Sequence, residues 1–204
     1  MKKIKLLLCV LFMALFNLSA LANDDLPKNF ETIYQEILNN KEYANLGNPE
    51  GKYVIIDFFD YRCQHCKRNR YQISELIQSG KVPNLRWISI EVPLFGSEYY
   101  DIAYLIQAAK AQEKYQELFK KIAALPNPNI DNIKNFAQEL EIDMDQLWKD
   151  AATITKEKTL EKNLELFRLF DFNSVPLMIV NKKLYYGALS QKAMNRIIRE
   201  SNKQ

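Results

Sequence analysis

Cysteine and histidine are scarce in this 204-residue chain, which has three of the first and one of the second. Glycine is scarce too: five in all, and none from residue 98 to 170. The longest apolar run, Leu6 to Phe16, is too short to cross a bilayer core of about 30 Å. There are no internal repeats and no low-complexity tracts. So few cysteines exclude a scaffold stapled by several disulfides. A structural zinc site wants four Cys or His ligands, and outside the apolar run, which holds Cys9, three such residues remain, too few without carboxylates or a second subunit.

What is present at the N-terminus has a recognisable order. Met1-Lys2-Lys3-Ile4-Lys5 is basic, the apolar run follows, and Ala20 and Ala22 stand in an A-x-A arrangement. That order predicts an export signal cleaved after Ala22. Cleavage removes Lys2, Lys3 and Lys5 and takes 28 cations down to 25, level with the 25 acids. The mild basicity therefore argues for neither nucleic acid nor an anionic membrane as partner. Cleavage also removes Cys9 and leaves Cys63, Cys66 and His65.

About 180 remaining residues suit one core. Residues 23–29 are polar and read as frayed. Phe30, Ile33, Tyr34, Ile37 and Leu38 recur at helical spacing, which predicts a helix over 30–40. Residues 45–51 read as a turn. "YVIIDFF" (53–59) reads as a buried strand, 63–78 as a helix and "LRWISIEV" (85–92) as a second strand. Strand, helix, strand implies a parallel pair with a right-handed crossover. The glycine-free stretch predicts helices over 98–124, 130–140, 143–152 and 154–170. Strands return at 176–180 and 184–187. Ser190 is placed to cap a last helix over 191–201.

Within "DYRCQHCKRNRY" (60–71), two cysteines stand three apart around the histidine. As a staple the pair would do little: closing four residues contributes roughly 2 kcal/mol, against about 3 for fifteen. Redox use explains more. Cys63 falls at the start of a helix, where the dipole and unpaired N–H groups favour an anion. His65, Arg62, Lys67, Arg68 and Arg70 add cations nearby, although the flanking four do not share one helix face. All would favour the reactive thiolate. Asp57 interrupts an apolar strand six residues earlier. It reads as a buried acid able to move the Cys66 proton, or as an acid facing solvent at a strand end.

"DFFDYRCQHC" after a strand, "SVP" (174–176) at the return of strand character, and a helical block between them resemble the thioredoxin superfamily. Within it they resemble the DsbA-like exported oxidoreductases. The resemblance spans about residues 50–200. It implies an α/β thioredoxin fold: a central mixed sheet flanked by helices, with a helical insertion between βαβ and ββα halves. The implied division is 1–22 signal, 23–50 N-terminal extension, 51–97 with 171–204 thioredoxin-like domain, and 98–170 inserted helical subdomain.

It further implies Cys63 as nucleophile and Cys66 as its partner, with Gln64, His65 and Asp57 tuning the couple. Pro176 would be a cis-proline facing the dithiol, and Val175 would offer backbone groups to an extended substrate. No organic cofactor and no metal is implied. The expected activity is oxidation of reduced exported proteins in the periplasm, with a DsbB-like, quinone-linked membrane protein as reoxidant. The alternatives are an oligomeric isomerase or reductase kept reduced by a DsbD-like donor, and a non-catalytic exported chaperone. Gln64-His65 departs from the Pro-His of the best-known DsbA members. "YYGALS" (185–190) resembles a branch that includes members with oligomerisation segments. Residues 30–40 are expected to pack on their own domain, as a monomer, rather than to form such a stem.

Overall fold

The structure, a computed structural model, describes residues 22–23, 26–94, 100–156 and 158–203. The export-signal reading falls on residues outside these, apart from Ala22.

Among the described residues six strands form one mixed sheet: β1 (Ala22–Asn23), β2 (Ala44–Gly47), β3 (Tyr53–Phe59), β4 (Leu85–Glu91), β5 (Leu177–Val180) and β6 (Lys183–Tyr186). Their spatial order is β1-β6-β5-β3-β4-β2. Among the described residues β3 and β4 run parallel and the other pairings are antiparallel. The helices are α1 (Phe30–Asn39), α2 (Gln64–Gln78), α3 (Tyr100–Ala108), α4 (Tyr115–Ala123), α5 (Ile130–Glu139), α6 (Met144–Lys156), α7 (Thr159–Arg168) and α8 (Gln191–Ser201). This is the expected thioredoxin fold, with a helical block between β4 and β5.

All seven residues of β3 are buried, because this strand lies mid-sheet with both faces covered. Tyr53 and Ile55 face a layer containing Ile73 and Leu76 of α2 and Met194 and Ile197 of α8. Val54, Ile56 and Phe58 face the larger cluster, built from α1 and the helical block. Phe30, Ile33, Tyr34 and Ile37 bury one side of α1 in that cluster, so it packs on its own sheet. Ser190 caps α8 as expected, its hydroxyl accepting from Ala193 N–H at 3.2 Å.

Three local readings are corrected. Residues 44–47 are a strand, not turn: they pair with Arg86–Ser89 at the sheet edge. The register needs a glycine at 47, where φ is +75° and a Cβ would lie 2.6 Å from the Leu85 carbonyl oxygen. The single helix expected over 98–124 is broken. After α3 a 3-10 turn covers Ala109–Gln112, and Glu113 is left-handed with φ 59°. Lys114 N–H then bonds the Ala109 carbonyl, closing a helix C-terminus that usually wears glycine. The frayed reading of 23–29 also yields in part, since Ala22–Asn23 pairs with β6.

Candidate active site

The loop from β3 to α2 is built by Asp60. Its backbone carbonyl accepts from Cys63 N–H at 3.1 Å. Its carboxylate accepts from the Arg62 and Leu94 amides, each at 2.8 Å. This folds the chain so that Cys63 becomes the N-cap of α2. The Cys63 sulfur accepts from Cys66 N–H at 3.0 Å, in the manner of a capping serine oxygen. A negative charge on that sulfur would meet the positive end of a 15-residue helix.

Cys63 and Cys66 are joined by a disulfide with Cα atoms 5.2 Å apart. Both are buried, Cys63 at 6 % exposure and Cys66 at 1 %. The Val175–Pro176 bond is cis, and the Val175 carbonyl oxygen lies 3.5 Å from the Cys63 sulfur. That contact can become an S–H···O hydrogen bond only when Cys63 is a protonated thiol. So the structure gathers Cys63, Cys66, Val175 and Pro176 from two distant parts of the chain. Gln64 and His65 lie exposed on the first turn of α2. Gln64 Nε2 reaches the Pro126 carbonyl at 3.4 Å, across to the helical block.

The cations divide. The Lys67 ammonium donates to the Leu125 and Pro126 carbonyls, and burial lowers its pKa. Arg70 turns inward and is buried against β3 and β4. Its Nη1 donates to Asp57 Oδ2 at 2.7 Å and to the Ser89 hydroxyl. Asp57 Oδ1 accepts from Trp87 Nε1 at 2.6 Å. Asp57 is therefore buried, not solvent-facing, but its two oxygens face Arg70 and Trp87. No described hydrogen bond ties it to either sulfur. Serving the Cys66 proton directly is not what its contacts show.

A second buried acid was not expected from the sequence. Glu91 ends β4 and is buried beneath the dithiol loop. Tyr61 Oη donates to its Oε1, and Gln107 Nε2 donates to its Oε2 at 2.7 Å. Burial outweighs these donors and pushes its pKa up to about 7. The same burial, with the Glu91 charge next to it, drives the Tyr61 phenol well above its usual range. An acid closing an apolar strand carries no signal of its own in the sequence; the packing of Tyr61 and Gln107 over it sets it apart. Asn69 was missed as well. Its side-chain oxygen accepts from Leu189 N–H at 2.9 Å and its amide donates to the Gly187 carbonyl at 3.3 Å, tying α2 to the loop before α8.

A helix capped by a disulfide sulfur, set on a mixed sheet and facing a cis X-Pro loop, defines a thioredoxin-like thiol–disulfide exchange protein. A family model described as Thioredoxin matches residues 38–200, and the chain belongs to that family. With its Cys-x-x-Cys disulfide it is a thiol–disulfide oxidoreductase. Among solved structures it is similar to a thioredoxin-like oxidoreductase from Silicibacter pomeroyi DSS-3. The two are 25% identical over 83% of this chain and 98% of that one, with TM-score 0.73. The thiol-disulfide exchange protein alpha-DsbA2 from Wolbachia pipientis shares the fold at 20% identity, 84% and 92% coverage and TM-score 0.73. The catalytic domain of Proteus mirabilis ScsC does so at 17% identity, 88% and 100% coverage and TM-score 0.72. No curated protein matches the chain.

Proposed function

We propose that the protein is a periplasmic oxidase that donates its Cys63–Cys66 disulfide to newly exported proteins. The observation that carries this reading is the Cys63 sulfur seated as the cap of α2, 3.0 Å from the Cys66 amide. A leaving thiolate there is stabilised by the helix, which favours the reduced enzyme and so makes its disulfide a stronger oxidant.

A substrate thiolate attacks the Cys63 sulfur. The S–S bond breaks, its electron pair leaves with Cys66, and a mixed disulfide forms. A second substrate thiolate then attacks the substrate sulfur of that bond and releases Cys63 as thiolate. The substrate loses two electrons and two protons, and the enzyme ends as a dithiol. Val175 and Pro176 present the backbone edge along which an extended substrate lies beside Cys63. His65, exposed on the first turn of α2, tunes the couple, and Gln64 anchors that turn to the helical block. Asp57 acts through Arg70, by fixing α2 against the sheet.

A DsbB-like, quinone-linked membrane protein is the reoxidant under this reading. The burial of α1 against its own sheet supports a monomer. The export signal over 1–22 supports the periplasm, as does a periplasmic thioredoxin-like protein from Salmonella enterica serovar Typhimurium with the same fold, at TM-score 0.70.

Purified oxidised protein is expected to oxidise a reduced, unfolded substrate in stoichiometric amount, and Cys63→Ala to abolish this. Equilibration with glutathione gives the direction. A potential nearer the roughly −120 mV of a strong oxidant than the roughly −270 mV of a reductant supports the oxidase. A potential at the reducing end would sink it in favour of an isomerase or reductase fed by a DsbD-like donor. His65→Gln is expected to raise the Cys63 pKa, read by thiolate absorbance; an unchanged titration removes His65 from the tuning set.

A further inference from the structure

Between α2, α4 and the β2 edge the fold leaves a cavity of about 310 Å³, and neither cysteine, nor Val175 or Pro176, is among its lining residues. That volume lies at the small end of ligand pockets, which are mostly apolar with a few convergent polar groups. Leu46, Trp87 and Phe119 supply apolar wall, and Tyr71, 67 % exposed, stands among the lining residues. Three cations line it, Lys67, Arg70 and Lys120, against a single acid, Glu75.

Arg70 is the unusual member. Its guanidinium carbon lies 3.7 Å from the Phe59 ring centre and 4.0 Å from that of Phe119, so two aromatic rings fix its plane. Nη1 is taken by Asp57 and Ser89. Nε and Nη2 are buried and have no acceptor among the described residues. These two nitrogens form one edge of the guanidinium, the fork that matches the two oxygens of a carboxylate. A buried donor without a partner is costly to leave so, and more costly when charged. Asp57 already supplies one negative partner, so a second anion needs further positive charge, which Lys67 and Lys120 provide at the same cavity.

We propose that this cavity binds a carboxylate carried on a compact apolar body. The carboxylate takes the Nε/Nη2 edge of Arg70 with support from the two lysines. The apolar body lies against Leu46, Trp87 and Phe119. Both nitrogens are sealed from water in the empty cavity, so binding requires a lining side chain to shift. A free carboxylic acid and the C-terminal carboxylate of a peptide ending in an apolar residue present the same chemistry.

The test titrates oxidised protein with 3-phenylpropionate and with its neutral amide, followed by NMR and calorimetry. The acid is expected to bind saturably and at least about tenfold tighter than the amide, roughly the discrimination one hydrogen bond to a charged group provides. Lys120→Gln is expected to weaken the acid several-fold and leave the amide unchanged. Ala124→Trp, which places an indole at a lining position, is expected to block both, while disulfide exchange with a protein substrate stays intact as the check on folding. An acetylated peptide ending in Gly-Phe, with free or amidated C-terminus, separates the sources. Displacement of phenylpropionate by the free-acid peptide alone assigns a chain terminus, and no displacement assigns a small acid. Absence of saturable binding, equal binding of acid and amide, or acid binding unmoved by both variants overturns the proposal.

Discussion

Asp57 and Glu91 are two buried carboxylates on one face of the sheet. Asp57 pairs with Ser89, and Phe59 with Glu91, in the parallel register of β3 and β4. They lie within the same layer, yet their partners differ in kind. Asp57 forms an ion pair with a buried guanidinium and takes a second bond from an indole. Among the described residues, the Glu91 carboxyl takes hydrogen bonds from neutral donors alone, a phenol and an amide, with Lys110 and Arg70 acting on it only through their charge. The two sites show that depth alone does not decide what a buried acid does. A cation in direct contact makes Asp57 a structural pair, whereas the neutral donors of Glu91 do not offset its burial, which lifts its pKa to about 7.

The largest expected effect separates them most directly. Asp57→Ala removes the charge opposite Arg70 and leaves a buried cation unpaired, which is expected to cost about 3–5 kcal/mol in urea unfolding. A loss under about 1 kcal/mol, the size of a surface pair, would mean that Arg70 does not depend on Asp57.

Glu91 is expected to show itself through pH instead. Its carboxyl releases its proton near 4.5 when unfolded and near 7 in the fold. Between those values the folded chain holds a proton that the unfolded chain lacks, so stability falls as pH rises. The contribution is fully present below about 4.5 and lost as pH climbs through about 7, a total of about 3 kcal/mol. Glu91→Gln is expected to flatten that slope in urea titrations from pH 4.5 to 8 and to cost little at pH 5. If it costs as much as Asp57→Ala at pH 5, the distinction between charged and neutral partners fails.

Tyr61→Phe is the smallest change. It removes one donor to Glu91, a loss of about 1 kcal/mol. Because that donor favours the carboxylate, its removal is expected to move the Glu91 midpoint further up, which a carbon-13 label on the carboxyl would follow. A midpoint that moves down would show that Tyr61 does not donate to the charged form.

Much of the site was legible because it is local. The Cys63–Cys66 spacing, the helix that follows and the Ser190 cap each depend on residues within a few positions of one another. The late strand that opens at Pro176 could be placed from its β-branched run. Where local signals were weak, reading failed. "ANLG" (44–47) has little strand propensity and becomes a strand only because β4 offers it an edge. The break after α3 carries no glycine or proline to announce it. Arg70 looked like one of several cations around the dithiol, and nothing in its neighbours told that it turns inward.

By itself the sequence determined the dithiol, the order of the four central strands β3 to β6 with α2 and α8, and the helix start that places a sulfur where an anion is welcome. Tertiary structure decided the rest. The approach of Val175 to Cys63 joins residues 112 positions apart. The choice of Arg70 and Trp87 for Asp57, and of Tyr61 and Gln107 for Glu91, joins residues from 13 to 30 apart. The physical reason is desolvation. A carboxylate's behaviour is set by which donors and charges surround it once water is gone, and that company is chosen by packing.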